Sequence, residues 1–322
     1  MNEEAVNAIL RRMADYLDNS QMIKLKIVLE EALQKDGIIS DKSSQELLEM
    51  FLSNKRLEGR SEKTLALYRF NIEKMLSKSE KNVCVMNTDD IRKYLSEYWE
   101  QNGACKATVD NVRRNLSSFF TWLEDENYIF KSPLRRIHKI KTSVVVKDTY
   151  DDEDIEKLRD DCKVLRNLAI IDFLNSTGIR VGELVHLDID DVDFEERECV
   201  VLGKGDKERV VYFDAKAKIH LKKYLDSRTD NEPALFVSTK SPHARLQAGG
   251  VESMLRKMGI VSNVNHVHPH KFRRTMATTA IDRGMPVEQV QQLLGHEKID
   301  TTMQYAMVKQ SNVKSAHKKY LG

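Results

Sequence analysis

The chain has 322 residues, with 52 Lys+Arg against 50 Asp+Glu, 41% hydrophobic and 32% charged positions, and only 13 Gly and 5 Pro. That is enough chain for about two domains of about 150 residues with a core that needs no disulfide or metal staple, and the composition excludes low-complexity, collagen-like and disordered classes. A net charge of +2 advertises neither a nucleic-acid binder nor an acidic tail.

The N-terminal stretch places Val6, Ile9, Leu10, Met13 and Leu17, then Leu25, Val28, Leu29, Ala32 and Leu33 at helical spacing, which predicts a helical hairpin or extension over 1–42. Its acidic, amphipathic character is not that of a secretory signal, and no run of about 18 apolar residues follows, so a cytoplasmic protein without membrane partners is expected. A second helical block follows. Ser61 reads as the N-cap of a helix with Leu65, Tyr68, Ile72, Met75 and Leu76 on one face, and Thr88 reads as the cap of the next. The segment ATVDNVRRNLSSFFTWLED is the clearest helix, apolar at Val109, Val112, Leu116, Phe119, Phe120 and Leu123 and basic or polar at Arg113, Arg114, Ser117 and Thr121. Pro133 breaks the pattern, and a basic stretch without periodicity marks a linker, giving a helical domain over 43–138, a linker over 139–148 and a second domain over 149–322.

Two helical segments open the second domain. The pattern then switches to period two in ECVVLG and KERVVYF around a glycine-bearing turn, a hairpin signal, before amphipathic helices resume near 215–226, 249–258, 270–283 and 286–294. The fold class is mainly α with a small antiparallel β-sheet in the C-terminal domain. Cys84, Cys105, Cys162 and Cys199 form no CxxC pair and read as small buried or idle residues, so neither a zinc knuckle nor a redox motif is indicated.

Taken singly, the polar candidates are compatible with ordinary surface roles. Arg180 in TGIRVGEL follows Gly178, a helix C′ residue by pattern, and Glu183 lies three residues on, within reach of Arg180 in a helical turn. Lys204 projects from the turn GKGD, where the spacing of a phosphate-binding P-loop is absent. Pro269 favours a helix start that sets His270 and Arg273 on one face of a first turn whose free N–H groups attract anions. His266, His268 and His270 alternate, but no carboxylate or Cys follows at zinc-ligand spacing, so no metal or other cofactor is expected. His296 follows a glycine in LLGHEKIDTTMQY, and Tyr305 closes that motif.

The ordered set TGIRVGEL, GKGDKERVV, HKFRRTMAT and LLGHEKIDTTMQY resembles the tyrosine recombinase (phage integrase-like) family over about residues 43–322. Many members carry His directly after the second arginine of HxxR, where this chain has Arg274. The resemblance implies a helical core-binding domain and a catalytic domain forming a C-shaped clamp on duplex DNA. It also implies a homotetramer acting on two DNA sites through a Holliday junction, with an excisionase or DNA-bending protein as a further partner and a C-terminal tail that docks into a neighbouring subunit.

By that resemblance Tyr305 is the nucleophile that makes a 3′-phosphotyrosyl link, Arg180 and Arg273 hold the phosphate, Lys204 is the general acid, His270 assists Tyr305, His296 bonds a phosphate oxygen, and Glu183 orients Arg180. The residue types fit the chemistry: a covalent phosphotyrosine stores the broken bond's energy, and guanidinium is permanently charged and binds phosphate oxygens in a fork. Integration or excision of a mobile element is the leading expectation. Resolution of chromosome or plasmid dimers by a Xer-like enzyme is the alternative, and a catalytically silent DNA-binding accessory protein is a remote one. Lys63, Arg69, Arg113, Arg114, Lys139 and Lys141 are the candidate phosphate contacts. By segment, residues 43–147 hold 19 Lys+Arg against 14 Asp+Glu, whereas 148–322 hold 27 against 28, so the neutral total conceals a basic first half.

Overall fold

The computed structural model describes residues 2–14, 16–34, 42–141, 148–203 and 208–305. The chain divides into two compact units, Met1–Val144 and Val145–Gly322. Among the described residues no helix is long and apolar enough to cross a membrane.

The first unit is helical: α1 (Asn2–Met13), α2 (Asn19–Gln34), α3 (Ser44–Leu57), α4 (Glu62–Leu76), α5 (Thr88–Asn102) and α6 (Lys106–Asp125). Local chemistry fixes the starts of these helices. Ser43 and Glu46 form a reciprocal capping box on α3, and Ser61 accepts from the Thr64 N–H at the head of α4. The cap of α5 is Asn87 rather than Thr88: the Asn87 side chain accepts from the N–H groups of Asp89 and Asp90, while Asp90 accepts from the Asn87 N–H. Thr88 is already helical, and its hydroxyl donates instead to the Pro133 carbonyl at 2.9 Å. Helix α6 supplies the spine of the core, where Phe51 meets Phe119 and Tyr68 edge-on, each at 5.3 Å between centroids. Burying one such side chain is worth about 1.5–3 kcal/mol, so the aromatic cluster is a principal source of this unit's stability.

The second unit contains α7 (Asp152–Asp160), α8 (Leu165–Thr177), α9 (Val181–His186), β1 (Val192–Asp193), β2 (Glu198–Leu202), β3 (Glu208–Tyr212), α10 (Ala215–Asp226), α11 (Ala248–Val261), α12 (Pro269–Asp282), α13 (Val287–Leu294) and α14 (Ile299–Met303). Helix α8 is apolar around most of its circumference and is accordingly the buried axis, packed between α10 and α12. Its one buried carboxylate, Asp172, is satisfied by Arg159 Nε at 2.6 Å and by the His220 ring. The strands form an antiparallel sheet in the order β1-β2-β3, with Val201 opposite Arg209 and Cys199 opposite Val211. Cys199 and Cys162 are buried as expected, whereas Cys105 is exposed as the N-cap of α6 and Cys84 is half-buried.

Candidate active site

Two elements of the second unit, α9 and β3, grip one carboxylate, and α12 and the turn after α13 join the same cluster through Arg273 and His296. Helix α8 ends at Gly178, whose φ of 61° is left-handed and whose missing Cβ would stand 2.2 Å from the Met276 Cε of α12. The left-handed φ favours glycine here, and the flexible Met276 methyl of α12 fills the space beside it. Two residues on, Arg180 caps α9. Its backbone N–H donates to Glu183 Oε2 at 2.8 Å and its Nη1 to Oε1 at 2.7 Å.

Glu183 is also gripped from β3. Arg209 Nη1 and Nη2 donate to Oε1 and Oε2 at 2.8 and 2.7 Å, and Arg209 Nε reaches the Leu293 carbonyl at 3.1 Å. Burial works against the charged form of Glu183, whose side chain is 5% exposed, but the forked bond from Arg209 and the backbone and side-chain bonds from Arg180 outweigh it and hold the carboxyl at about 2.

Arg273, on the second turn of α12, is 3% exposed. Its Nη1 donates to the Gly178 carbonyl at 2.8 Å and its Nη2 to the Leu294 carbonyl at 2.5 Å. Burial, then the Arg180 charge, pull it down to about 10 against the favourable field of Glu183, which leaves it a cation at neutral pH. The head of α12 is fastened by Tyr150. Its N–H donates to Thr275 Oγ1 at 2.9 Å, its hydroxyl accepts from the His268 N–H at 3.2 Å, and its ring lies 4.7 Å from Phe272. Lys271 Nζ stands 4.4 Å from the Tyr150 centroid, and Arg274 donates to the Asp148 carbonyl.

The turn after α13 completes the cluster. Gly295 has φ 62°, and a Cβ there would lie 2.9 Å from Arg209 Cδ; its carbonyl accepts from Arg180 Nη2 at 3.4 Å. His296 Nε2 accepts from Arg273 Nη2 at 3.1 Å, which places the ring proton on Nδ1, donated to the buried Thr302 hydroxyl at 2.9 Å. Burial, then Arg273, Arg180 and Arg209, push His296 down to about 4, so the ring is neutral at pH 7. The Tyr305 ring stacks on it, with centroids 6.0 Å apart and planes inclined by 26°.

Arg180, Glu183, Arg273, His296 and Tyr305 are thus assembled in one place from residues spread over more than a third of the chain. His270 occupies the exposed side of the first turn of α12. Lys204 lies outside the described residues. Arg209 was not singled out in the sequence, although a signal was present: period two in ERVVY puts position 209 on the same face as Val211, which is fully buried, and an inward-facing arginine needs a partner. Among the described residues no group of three or more His, Cys, Asp or Glu side chains is disposed to hold a metal ion.

The candidate DNA contacts of the first unit differ from one another. Lys63, Lys139 and Lys141 are exposed. Arg114 is 63% exposed and lies 3.5 Å from Asp110. Arg113 is no part of an open basic face: its side chain is 12% exposed because Asp110, one helical turn earlier, accepts from its Nε at 2.8 Å. Arg69 is held between Glu49 and Glu73.

Comparison with known proteins identifies the family. Residues 149–312 match the phage integrase family, and residues 47–129 match the SAM-like N-terminal domain of phage integrases. A tyrosine recombinase XerC of Oceanobacillus iheyensis is 32% identical over 272 residues, covering 80% of this chain and 89% of that protein. A tyrosine recombinase XerA of Pyrococcus horikoshii is 30% identical, covering 86% of this chain and 94% of that protein. In fold, the chain is similar to a XerH site-specific recombinase bound to a palindromic difH substrate, with a TM-score of 0.68 and 21% identity over 97% of this chain and 93% of that one. It is also similar to a lambda integrase dimer bound to a COC′ core site, with a TM-score of 0.66 and 18% identity over 80% of this chain and 96% of that one. The chain belongs to the phage integrase family of tyrosine recombinases.

Proposed function

We propose that this protein cuts and rejoins duplex DNA at specific sites through a covalent link to Tyr305, without a metal. One observation carries the reading: Arg180 and Arg209 grip the Glu183 carboxylate, the one carboxylate bonded to these cations among the described residues, and Arg273 stands beside them, bonded to a His296 on which Tyr305 stacks. One carboxylate leaves two of those cationic charges unbalanced, and a scissile phosphate, whose non-bridging oxygens gain charge in the transition state, is the anion they suit.

In the proposed cycle Tyr305 Oη forms a bond to phosphorus while the bond to the 5′-oxygen breaks. The tyrosyl proton passes toward His270, and Lys204 gives a proton to the leaving oxygen, freeing a 5′-hydroxyl. The reverse step, with the 5′-hydroxyl of a partner strand as nucleophile, rejoins the DNA and leads through a Holliday junction to exchange. Arg180 and Arg273 neutralise the phosphorane, and Glu183 keeps Arg180 aligned. His296 Nε2 accepts a hydrogen bond in this geometry, so a phosphate oxygen arriving at that edge calls for a proton on Nε2, supplied by protonation of the ring or by a tautomer switch in which Nδ1 accepts from the Thr302 hydroxyl.

Duplex sites are bound by a core-binding domain over 43–138, a linker over 139–148 and a catalytic domain over 149–322, with Lys63, Lys139, Lys141 and Arg114 as phosphate contacts and Arg69 and Arg113 available only by exchanging their carboxylate partners. Assembly as a homotetramer in the cytoplasm accompanies this reading. Residues 310–322 lie outside the described residues; their expected role of docking on a neighbouring copy is removed if a tail deletion leaves recombination unchanged. The helices α1 and α2, which precede the family-matched segment, favour integration and excision of a mobile element. The names of the XerC and XerA relatives favour the alternative, resolution of chromosome or plasmid dimers. Plasmids carrying two recovered sites in direct repeat, with and without a candidate excisionase, separate these outcomes by their dependence on the second protein.

The test of the central reading is incubation of the full chain, in EDTA, with a pool of nicked duplexes of randomised core sequence. A covalent adduct that disappears in Tyr305→Phe is expected. An adduct that requires added Mg²⁺, or none at all, overturns the reading.

A further inference from the structure

We propose that Arg209 is a positioning residue for the phosphate site, acting through Glu183 on Arg180 and through the Leu293–His296 turn on His296; the inference rests on the reading of Arg180 and His296 as phosphate contacts. Each of its guanidinium nitrogens is committed. Nη1 and Nη2 take both oxygens of Glu183, and Nε takes the Leu293 carbonyl. None of these bonds lies within β3 or its sheet, and the side chain is 11% exposed. Arg209 therefore fastens β3 to the start of α9 and to the end of α13.

The geometry explains why a single carboxylate suffices to set Arg180. Glu183 Oε1 and Oε2 each receive one bond from Arg209 and one from Arg180, so the carboxylate plane is fixed by the fork on one side and presents fixed lone pairs to Arg180 on the other. Without Arg209 the Glu183 carboxylate can rotate, and the Arg180 guanidinium follows it. The second route is equally short. Arg209 Nε holds the Leu293 carbonyl, the next carbonyl accepts from Arg273, and the one after, on Gly295, accepts from Arg180. Three successive carbonyls thus report to three different arginines, and the next residue is His296. The Gly295 Cα sits so close to Arg209 that a Cβ would meet its Cδ, Nε and Cζ at 2.9, 3.2 and 3.4 Å. The turn is built around this guanidinium. Lysine keeps the charge of Arg209 but has no fork to give both oxygens and a carbonyl.

The full chain with Arg209→Lys and Arg209→Gln is the test, using nicked duplexes recovered from the wild-type adduct. Single-turnover cleavage at saturating protein is expected to fall by about tenfold to a hundredfold in both variants, while the Kd for the same duplex stays within about twofold. Glu183→Gln combined with Arg209→Gln is expected to cleave no more slowly than the slower single variant, because both act through one bond set. Wild-type cleavage in Arg209→Lys, or a loss that appears in Kd alone, overturns the proposal. A structural arm is independent of cleavage: the Arg180 guanidinium protons, observed by NMR, exchange slowly in the wild type and faster in Arg209→Gln. Unchanged exchange overturns the positioning role. Faster exchange in Arg209→Gln, together with a wild type that forms no adduct, retains the role and sinks the recombinase reading instead.

Discussion

Replacing Glu183 by Gln removes the only carboxylate that receives hydrogen bonds from both Arg180 and Arg209 among the described residues while keeping the shape of the side chain. In the folded chain this carboxyl stays ionised down to about 2, against an ordinary value of 4.5. The folded value is the lower one, so its contribution to stability is complete above about pH 4.5 and disappears as pH falls toward 2. The displacement corresponds to about 3 kcal/mol, and with a side chain 5% exposed solvent screening takes little from it. Breaking one partner out of a buried ion set costs about 3–5 kcal/mol, the same scale. For a unit of this size each kcal/mol moves the midpoint by about 2–4 °C, so the melting transition of the second unit should fall by about 6–12 °C at pH 7. Differential scanning calorimetry of the full chain at pH 7 and at pH 3 is the assay, and the gap between the two proteins should shrink to roughly half or less at the lower pH. A variant that melts within 2 °C of the wild type at pH 7, or a gap that widens in acid, refutes the reasoning.

Arg273→Lys should retain DNA binding and lose about a hundredfold to a thousandfold in single-turnover cleavage, since one preorganised donor is worth about 2.7–4 kcal/mol in a transition state; a loss under threefold counts against the assignment. Gly295→Ala and Gly103→Ala impose the same left-handed strain, about 1–2 kcal/mol, but only Gly295 has Arg209 where the new Cβ must go. Denaturant titration should therefore rank Gly295→Ala clearly the worse, and equal losses would remove Arg209 from the argument. The His296 ring should titrate near 4 by NMR in the free protein and move upward when sulfate is added, because an anion between Arg180 and Arg273 offsets the charges that depress it. A value that sulfate leaves unmoved places the anion elsewhere.

Much of this arrangement was legible in the sequence because it is local. The Gly178 turn, the reach from Arg180 to Glu183 and the Ser61 cap each depend on residues within four positions of one another, where spacing alone dictates geometry. Asn87 in place of Thr88 was a one-residue displacement, decided by which side chain could reach two N–H groups at once. Arg113 reads as basic surface from its charge alone, and its pairing with Asp110 one turn earlier takes it out of that face. Arg209 required knowledge that β3 would meet α9 and α13, a contact across 26 residues in one direction and 84 in the other. Segment charge behaved similarly. Residues 43–147 are basic, yet the clustered cations of the second unit are individual arginines brought together by neighbours in space, not in sequence.

The most direct measurement is the identity of the residue that carries the DNA. The trapped adduct should be digested with nuclease and protease and the modified peptide sequenced by mass spectrometry, with the freed DNA end characterised in parallel. A nucleotide joined through its 3′-phosphate to Tyr305, with a free 5′-hydroxyl on the released strand, is the predicted result. Attachment to any other residue, or linkage through a 5′-phosphate, contradicts the account.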